Sequence, residues 1–387
     1  MKGRNPASQF LSFIREGESE KIEFKESFNR EALETLCAFA NTKGGALLIG
    51  VRDKGNIVGV SASQKALGEW ANQIDQGIGI HPSMEKKKIK DKEIVLIRVK
   101  ESRHKPVLYR GRAYQRVGNS TRQMNGEKLT RTILEGVGAT WDELPEPRAT
   151  ISDIDPAQTK AFIRLANQVG RRSIPENTPV KKLLDKLNLF QKNRLTRAAI
   201  LLFGKQPQSF YRQAMIKAGR FKSETLILDD REMEGTLLDQ VENTMTYFRE
   251  RLQTRFEMTG KPQRNVVWEY PLEALREALV NAVCHRDYME SGHTQIRLYD
   301  DRLLIWNPGN LPDDLSVEML KREHRSVPRN RLIAKVFFYA GLIEQWGSGV
   351  AKMISTTRAL GLPEPIFEEK DGFKVIFGAP PHVTPHV

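Results

Sequence analysis

The chain has 387 residues, of which 39% are hydrophobic and 28% are charged. These values indicate a globular protein with two domains rather than a disordered chain. No run reaches the ~18 apolar residues that a membrane-spanning helix needs, and the first residues lack the apolar core of a secretory signal. The two cysteines, Cys37 and Cys284, stand far apart in helical patterns. We therefore expect reduced thiols and a cytoplasmic protein that contacts no membrane.

The net charge of +13 is unevenly distributed along the chain. Residues 1–140 contain 25 Lys and Arg against 16 Asp and Glu, whereas the remainder contains 36 against 32. A basic region joined to a nearly neutral one is typical of a module that binds a polyanion, attached to a regulatory body. A solvated, lysine-rich surface is the alternative interpretation.

The predicted elements of the N-terminal part alternate between helices and strands. The hydrophobic spacing predicts, in chain order, a helix at 8–17, a strand at 21–25, a helix at 30–42, strands at 46–51 and 57–60, a helix at 64–77, strands at 84–90 and 93–100, and a hairpin over 107–117 around Gly111. This pattern indicates an α+β unit.

The region after the turn-rich segment 145–156 is predicted to be mainly helical, with a few strands. We expect helices at 157–169, 178–187, 194–202, 233–256, 271–288, 315–321, 330–340 and 346–359, and strands at 216–222, 294–299, 302–307 and 373–377. The predicted domains are therefore 1–140, a helical connector at 141–205, and 206–387.

Three side chains of the predicted helix at 271–288 could bind a nucleotide. Glu277 and Asn281 are four residues apart and share one helix face, and His285 lies one turn further along it. A carboxylate and a carboxamide at this spacing could orient a water molecule and ligate Mg²⁺, and His285 could approach a phosphate.

Two turns further along the chain complete this candidate site. Asn307-Pro308-Gly309 ends a predicted strand, where a small polar side chain could meet a base edge. Gly347 and Gly349 precede a predicted helix, where backbone N–H groups could approach phosphate.

Four stretches carry a resemblance to the GHKL ATPases, in particular to the divergent domain of bacterial transcriptional regulators and ATP-binding proteins. They are Leu195–Gly204, Glu273–Tyr288, Trp306–Gly309 and Glu344–Gly349. The resemblance implies a GHKL (Bergerat-type) α/β sandwich that binds ATP with Mg²⁺, and a flexible lid at about 310–345. It implies that Glu277 is the general base, that Asn281 is the magnesium ligand, and that Gly309, Gly347 and Gly349 lie in the nucleotide pocket.

The chain departs from the GHKL pattern at one position. These domains usually have an aspartate that accepts a hydrogen bond from the adenine amino group, where this chain has Asn307. An asparagine can accept through its carbonyl oxygen, but without charge. A degenerate pocket that binds nothing is the alternative.

Three N-terminal carboxylates could form a second site. Glu18 precedes the strand predicted at 21–25, Glu23 lies in it, and Asp53 follows the strand at 46–51. The three carboxylates could therefore converge if these strands pair. Carboxylates in a basic field are what a metal-dependent nuclease needs to hold Mg²⁺ or Mn²⁺. Surface carboxylates that balance nearby lysines are the alternative.

The same region resembles the AlbA-type domain of Schlafen proteins and of many bacterial regulators, over residues 10–135. The matching stretches are Glu18–Lys25, Ala38–Gly45, Leu48–Asp53 and Tyr114–Arg122. In the nuclease-active Schlafens, two glutamates and one aspartate form the active site, and they fall on Glu18, Glu23 and Asp53. The resemblance thus implies a metal-dependent ribonuclease, although many bacterial relatives only bind nucleic acid.

Three basic side chains are predicted to contact nucleic acid: Lys25, Arg116 and Arg122. The two arginines flank Gly118-Asn119-Ser120, a turn whose N–H groups suit a phosphate. Structural salt bridges are an equally weighted alternative for these arginines.

The leading hypothesis is a nucleotide-gated nuclease that acts on RNA such as tRNA, or on DNA, as a homo-oligomer. A stress or anti-phage role would fit it. The alternatives are an ATP-responsive DNA-binding regulator without nuclease activity, and a nucleotide-sensing scaffold with a partner protein. The chain closes with a strand and a Pro-containing tail in place of a winged helix, which disfavours the regulator.

Overall fold

The computed structural model describes residues 6–257, 265–312, 315–322, 327–344 and 347–379. The chain divides into two units, Met1–Ala139 and Thr140–Val387. Within the described residues, no helix is both long enough and apolar enough to cross a membrane.

The first unit is built on a four-stranded sheet with helices on both faces. Its elements are α1 (Pro6–Glu16), β1 (Ile22–Lys25), α2 (Arg30–Asn41), β2 (Gly45–Ile49), β3 (Val51–Arg52), β4 (Asn56–Ile57), α3 (Gln64–Ile78), β5 (Ser83–Ile89), β6 (Lys92–Val99), β7 (Tyr114–Val117), β8 (Ser120–Gln123) and α4 (Gly126–Gly136). The strand order is β1-β2-β6-β5, and β1 and β2 run parallel. The pairing of β1 with β2, on which the predicted convergence of the carboxylates depends, is therefore present.

Alternating side chains of this sheet enter two hydrophobic cores. Leu47 and Ile49 pack on one face with α2 and α3, and Ala46 and Leu48 pack on the other with Phe10 of α1. Because both faces are covered, β2 is apolar along its whole length rather than alternating. Asn29 caps α2 by accepting a hydrogen bond from the backbone N–H of Ala32.

The predicted hairpin over 107–117 around Gly111 is wrong in its register. Tyr109 and Arg112 form only an isolated bridge, and the hairpin proper pairs β7 with β8 across Gly118 and Asn119. Gly118 has a positive φ of 59°, which a turn residue needs. The helix α4 was not predicted.

The second unit has a six-stranded sheet with helices packed against it. Its elements are α5 (Pro156–Val169), α6 (Val180–Leu187), β9 (Phe190–Gln191), β10 (Arg194–Leu195), α7 (Arg197–Phe203), α8 (Pro207–Phe210), β11 (Ile216–Phe221), β12 (Ile227–Met233), α9 (Leu237–Arg251), β13 (Thr254–Glu257), β14 (Asn265–Trp268), α10 (Leu272–His285), β15 (Thr294–Leu298), β16 (Arg302–Asn307), α11 (Val317–Leu320), α12 (Arg331–Tyr339), α13 (Gly349–Ala359), β17 (Ile366–Glu369) and β18 (Phe373–Gly378).

The sheet of the second unit has the order β12-β11-β15-β16-β18-β17, in which only β11 and β15 are parallel neighbours. The strands β15 and β16 alternate between buried and half-buried residues, and β16 packs against α10. This alternation places Thr294 and Asn307 on a buried face of the sheet. The α+β fold class is confirmed.

The segment predicted as a separate connector, 141–205, shares the hydrophobic core of the second unit. Every residue from Ala198 to Phe203 of α7 is buried there, together with residues of α10 and of the sheet. Asp142 is fully buried as well, and its Oδ2 accepts hydrogen bonds from the backbone N–H groups of Leu332 and Ile333 at the start of α12. The structure therefore places this segment inside the second unit.

Candidate functional sites

Glu23 of the first unit is a buried carboxylate between two cations. Its side chain leaves β1 with 7% of the residue exposed. Lys25 Nζ donates to Glu23 Oε1 over 2.8 Å, and Arg116 Nη1 lies 2.8 Å from Glu23 Oε2 as an ion pair without hydrogen-bond alignment. Burial of an unpaired carboxylate would be costly, so the two cations stabilise its charge.

Arg116 lies inside the first unit rather than on its surface. Its Nη2 donates to Ser19 O and its Nη1 to Thr121 Oγ1, at 2.8 and 2.9 Å, and its guanidinium stacks over the Phe39 ring. The predicted contact of Arg116 with nucleic acid does not fit this position, because the side chain is buried and exposes no donor to a ligand. The alternative interpretation, a structural salt bridge, fits the ion pair of Arg116 with Glu23.

The other two predicted nucleic-acid contacts differ in exposure. Lys25 is half-buried, and its Nζ also lies 3.8 Å from Glu31 Oε2. Arg122 on β8 is exposed. Of the three basic side chains, Arg122 is therefore the one whose charge faces solvent.

Glu18 lies close enough to Glu23 and Asp53 to be affected by their charges. Its Oε1 accepts a hydrogen bond from Phe24 N over 3.1 Å. Burial raises the pKa of Glu18, the hydrogen bond from Phe24 opposes this, and repulsion from Glu23 and Asp53 raises the pKa further. Asp53 itself is exposed at the start of a 3₁₀ turn.

The three carboxylates do not form a ready metal site. Within the part of the chain that the structure describes, no group of three or more His, Cys, Asp or Glu side chains is arranged to hold a metal ion. Glu23 explains part of this result, because Lys25 and Arg116 already supply positive charge at both of its oxygens. Any divalent ion would have to compete with them.

A groove of the first unit lies apart from these carboxylates. It has a volume of about 1210 Å³ and is lined by residues that include Phe13, Ile22, Ala46, Arg98 and Lys100. Glu18, Glu23, Lys25 and Asp53 do not line it.

Glu277 and Asn281 of the second unit form the pair that their spacing predicts. Asn281 Nδ2 donates to Glu277 Oε1 over 3.0 Å, and both side chains are half-buried. Burial raises the pKa of Glu277, while the hydrogen bond from Asn281 and the charge of Lys352 lower it. A partly desolvated carboxylate of this kind suits a group that accepts a proton from water.

The N-terminus of α13 lies directly against this pair. A Cβ atom added to Gly349 would collide with Glu277 Oε1 and would lie 3.4 Å from Asn281 Nδ2, so a side chain at this position would displace the end of the Glu277 side chain. The Ser348 side chain makes no capping hydrogen bond to α13, so the first N–H groups of this helix are not satisfied by it. Gly347 precedes it with a positive φ of 68°. Gln345 and Trp346 of the same motif lie outside the described residues.

Asn307 ends β16 opposite Thr294, the first residue of β15. Thr294 Oγ1 donates to Asn307 Oδ1 over 3.0 Å, and Arg286 Nη1 donates to Thr294 Oγ1 over 3.3 Å. Arg286 is 2% exposed, and burial lowers its pKa. The sequence analysis missed Thr294 and Arg286, although Arg286-Asp287 is a charged pair directly after an apolar helix.

Gly309 brings the turn after β16 against Asp287. A Cβ atom on Gly309 would lie 2.8 Å from Asp287 Cβ, and its φ of 103° favours glycine. Asp287 Oδ2 accepts a hydrogen bond from Arg329 Nη1 over 2.9 Å, which ties the end of segment 310–329 to α10. His285, the last residue of α10, is half-buried.

Comparisons with known proteins agree with this two-part architecture. Residues 18–125 match the family model described as "Schlafen, AlbA_2". Residues 292–377 match the model described as "Putative ATP-dependent DNA helicase recG C-terminal". This range contains Asn307 and Gly349, but it begins after Glu277 and Asn281. The match of the N-terminal region suggests a domain that acts with nucleic acid, and the match of the C-terminal region suggests a domain that binds ATP. The N-terminal region thus matches a Schlafen AlbA_2 domain and the C-terminal region a recG-like ATPase domain, which is the pairing that the motifs predict.

Two solved structures are similar to the chain. The DIP2311 protein from Corynebacterium diphtheriae is 23% identical over 97% of this chain and 80% of its own, with a TM-score of 0.51, so it shares the fold. The N-terminal domain of a RecG-related protein described as a "putative ATP-dependent DNA helicase" from Nitrosomonas europaea is 28% identical over 32% of this chain and 95% of its own, with a TM-score of 0.25. No curated protein is significantly similar to the chain.

Proposed function

We propose that the second unit binds a nucleoside triphosphate with Mg²⁺, ATP as the family resemblance implies, and that this nucleotide controls the action of the first unit on nucleic acid. The observation that carries the proposal is the meeting of Glu277, Asn281 and the N-terminus of α13 at Gly349. An acid, an amide and a helix N-terminus that its N-cap side chain leaves uncapped suit a magnesium-bound triphosphate when they lie in one place.

Each of these groups has a defined role in the proposed site. The Asn281 side-chain oxygen would ligate Mg²⁺, which neutralises phosphate charge when bound. Glu277 would orient a water molecule and accept its proton. The N-terminus of α13 would hold phosphate oxygens. Because an added Cβ at Gly349 would meet the end of the Glu277 side chain, the space between them is narrow, and either that side chain or α13 must move before a phosphate can enter.

The test is nucleotide binding and hydrolysis by the full chain with and without Mg²⁺. We expect Asn281→Ala to weaken Mg²⁺-dependent binding, and Glu277→Gln to abolish hydrolysis while binding persists. Glu273→Gln is the matched control, because Glu273 lies one turn earlier on α10 but is exposed. Absence of nucleotide binding in the unaltered protein would refute the proposal.

A second candidate function, metal-dependent nuclease activity, is supported by one observation. Burial raises the pKa of Glu18, and the nearby charges of Glu23 and Asp53 raise it further. A divalent ion would relieve that repulsion, and the carboxylates would hold it for cleavage of RNA or DNA. The cation pairs of Glu23 favour instead a first unit that binds nucleic acid without cutting it.

These two possibilities are separated by incubating the protein with bulk tRNA and with plasmid DNA, with and without Mg²⁺ or Mn²⁺. Loss of Glu23 would leave Arg116 buried without its carboxylate, so Glu18→Gln and Asp53→Asn carry the test. The control is Glu26→Gln, which alters an exposed glutamate paired with Arg52. Metal-dependent cleavage that both variants lose would establish a nuclease, whereas binding without cleavage would indicate a regulator.

A further inference from the structure

Asn307 is the residue of the proposed nucleotide site that would meet a base, and its surroundings fix which way its amide points. Thr294 Oγ1 donates to Asn307 Oδ1 over 3.0 Å. Both residues lie on a buried face of the sheet, at the end of the β15–β16 ladder, where Gln295 pairs with Trp306.

The direction of this hydrogen bond is set by Arg286. Arg286 Nη1 donates to the same hydroxyl oxygen of Thr294 over 3.3 Å. A guanidinium has donors only, so Thr294 accepts from Arg286 and has its own hydrogen to give to Asn307. Turning the Asn307 amide around would aim two donors at this hydroxyl, whose hydrogen would then lose its acceptor. The carbonyl oxygen of Asn307 therefore faces Thr294.

The guanidinium of Arg286 is itself held in place by the chain before β15. Its Nη2 donates to the carbonyl oxygens of Gly292 and Glu290. With the residue 2% exposed, the side chain has little room to turn. The polarity of the Arg286–Thr294–Asn307 series is thus built into the fold.

The other end of the Asn307 amide presents donors. The residue is only 5% exposed, yet among the described residues Nδ2 makes no hydrogen bond, and it is not one of the unpaired nitrogen atoms sealed from solvent. A nearly buried amide thus offers N–H groups to whatever occupies this end of the sheet. A ligand that supplies an acceptor there satisfies them.

We infer that the site selects a base with an oxygen acceptor at this edge, a 6-oxopurine such as guanine or hypoxanthine, over adenine. The inference rests on the proposed binding of a nucleoside triphosphate by the second unit, and it replaces the adenine that the family resemblance implies by a 6-oxopurine. Where a 6-oxopurine presents its O6 acceptor, adenine presents its 6-amino donor, and in that position the amino group would face the Nδ2 donors of Asn307 without pairing. A mismatch of this kind costs roughly tenfold or more in affinity.

The experiment compares the affinities of the full chain for ATP, GTP and ITP with Mg²⁺ by calorimetric titration. ITP tests the 6-oxo group without the 2-amino group of guanine. We expect GTP and ITP to bind at least about tenfold more tightly than ATP. Asn307→Asp exchanges the donors for acceptors and should reverse the order. Gln295→Glu makes the same chemical change one residue away from Thr294 on the other face of the strand, and should leave the ratio unchanged.

Thr294 is tested as a positioning residue. Thr294→Val removes the hydroxyl that fixes the amide, so the ratio of ITP to ATP affinity should fall toward one, and Thr294→Ser should restore it. Thermal unfolding of each unliganded variant tests whether it is folded. If Asn307→Asp is not folded, the ratio of ITP to ATP affinity in the unaltered chain, in Thr294→Val and in Thr294→Ser tests the inference.

The outcomes separate the inference from the proposed function. Affinity for ATP that equals or exceeds that for ITP, or an unchanged ratio in folded Asn307→Asp, overturns the base selection and leaves the nucleotide site intact. Binding of none of the three nucleotides overturns both.

Discussion

Asp142 connects the start of the second unit to α12, and its removal should be costly. Its carboxylate is 0% exposed and accepts from the backbone N–H groups of Leu332 and Ile333 over 2.9 and 3.0 Å. Asp142→Ala leaves two buried N–H groups unpaired, at about 1–3 kcal/mol each. We expect the free energy of unfolding of the second unit to fall by about 2–5 kcal/mol. Asp142→Asn keeps an oxygen acceptor of the same size and should lose much less.

The same carboxyl group predicts the sign of a pH dependence. Burial raises the pKa of Asp142 to about 6, above the ordinary value of 3.8, although hydrogen bonds from Thr140, Ile333 and Leu332 lower it. Between these values the folded protein binds more protons than the unfolded chain. The contribution of this group to stability is therefore greatest below about pH 4 and is lost as the pH rises through about 6, by about 3 kcal/mol in total. Asp142→Asn should remove this dependence.

The measurement is urea unfolding followed by circular dichroism at pH 4.5 and pH 7.5, with hydrogen exchange of α12 as the local readout. Comparison with Asp142→Asn at each pH isolates this group from the other carboxylates. Equal losses for the alanine and asparagine variants, or a loss below about 0.5 kcal/mol for alanine, would refute the hydrogen-bond argument.

The remaining predictions concern single side chains and are measured by urea unfolding. Arg116→Met removes the guanidinium from a buried carboxylate and should destabilise the first unit by about 3 kcal/mol, whereas exposed Arg122→Met should change stability by less than about 0.5 kcal/mol and weaken nucleic-acid binding. Gly68→Ala should stabilise α3 by up to about 1 kcal/mol, since no atom lies within 4 Å of the added methyl group. Gly349→Ala should change the free energy of unfolding by less than about 1 kcal/mol, because the flexible end of Glu277 can move aside, and should reduce nucleotide affinity in a titration, because the methyl group displaces the Glu277 carboxylate.

The local parts of both candidate sites follow from sequence periodicity. The helix predicted at 271–288 is α10, and the spacing of Glu277 and Asn281 places them in hydrogen-bond contact. The pairing of β3 with β4 lies where strands are predicted at 46–51 and 57–60. These features depend on residues near one another in the chain, which is where helical and strand periods carry information.

Contacts between distant segments could not be predicted in the same way. Arg116 lies on a short strand flanked by glycine, which matches a phosphate-binding turn equally well. Only the packing of β7 against α2 puts it beside Glu23. Likewise, Gly349 carries no local sign that its missing side chain makes room for Glu277.

Asn307 shows a third kind of limit. Its residue type allows either end of the amide to face a ligand. The choice depends on Thr294, and the role of Thr294 depends on Arg286. Arg286 donates to Thr294, and Thr294 donates to Asn307. The direction of these hydrogen bonds depends on how the three residues are arranged in space, so no single position in the sequence reveals it.

The burial of α7 in the core of the second unit has a consequence for how such proteins recombine. Residues Ala198–Phe203 pack with α10 and the sheet, although they precede the sheet in the chain. A crossover near 139 and 140 would exchange one whole unit for another. A crossover near 206 would give the recipient the sheet and α10 without α7, which packs with them in the hydrophobic core. Inheritance should therefore keep 140–379 together as one module.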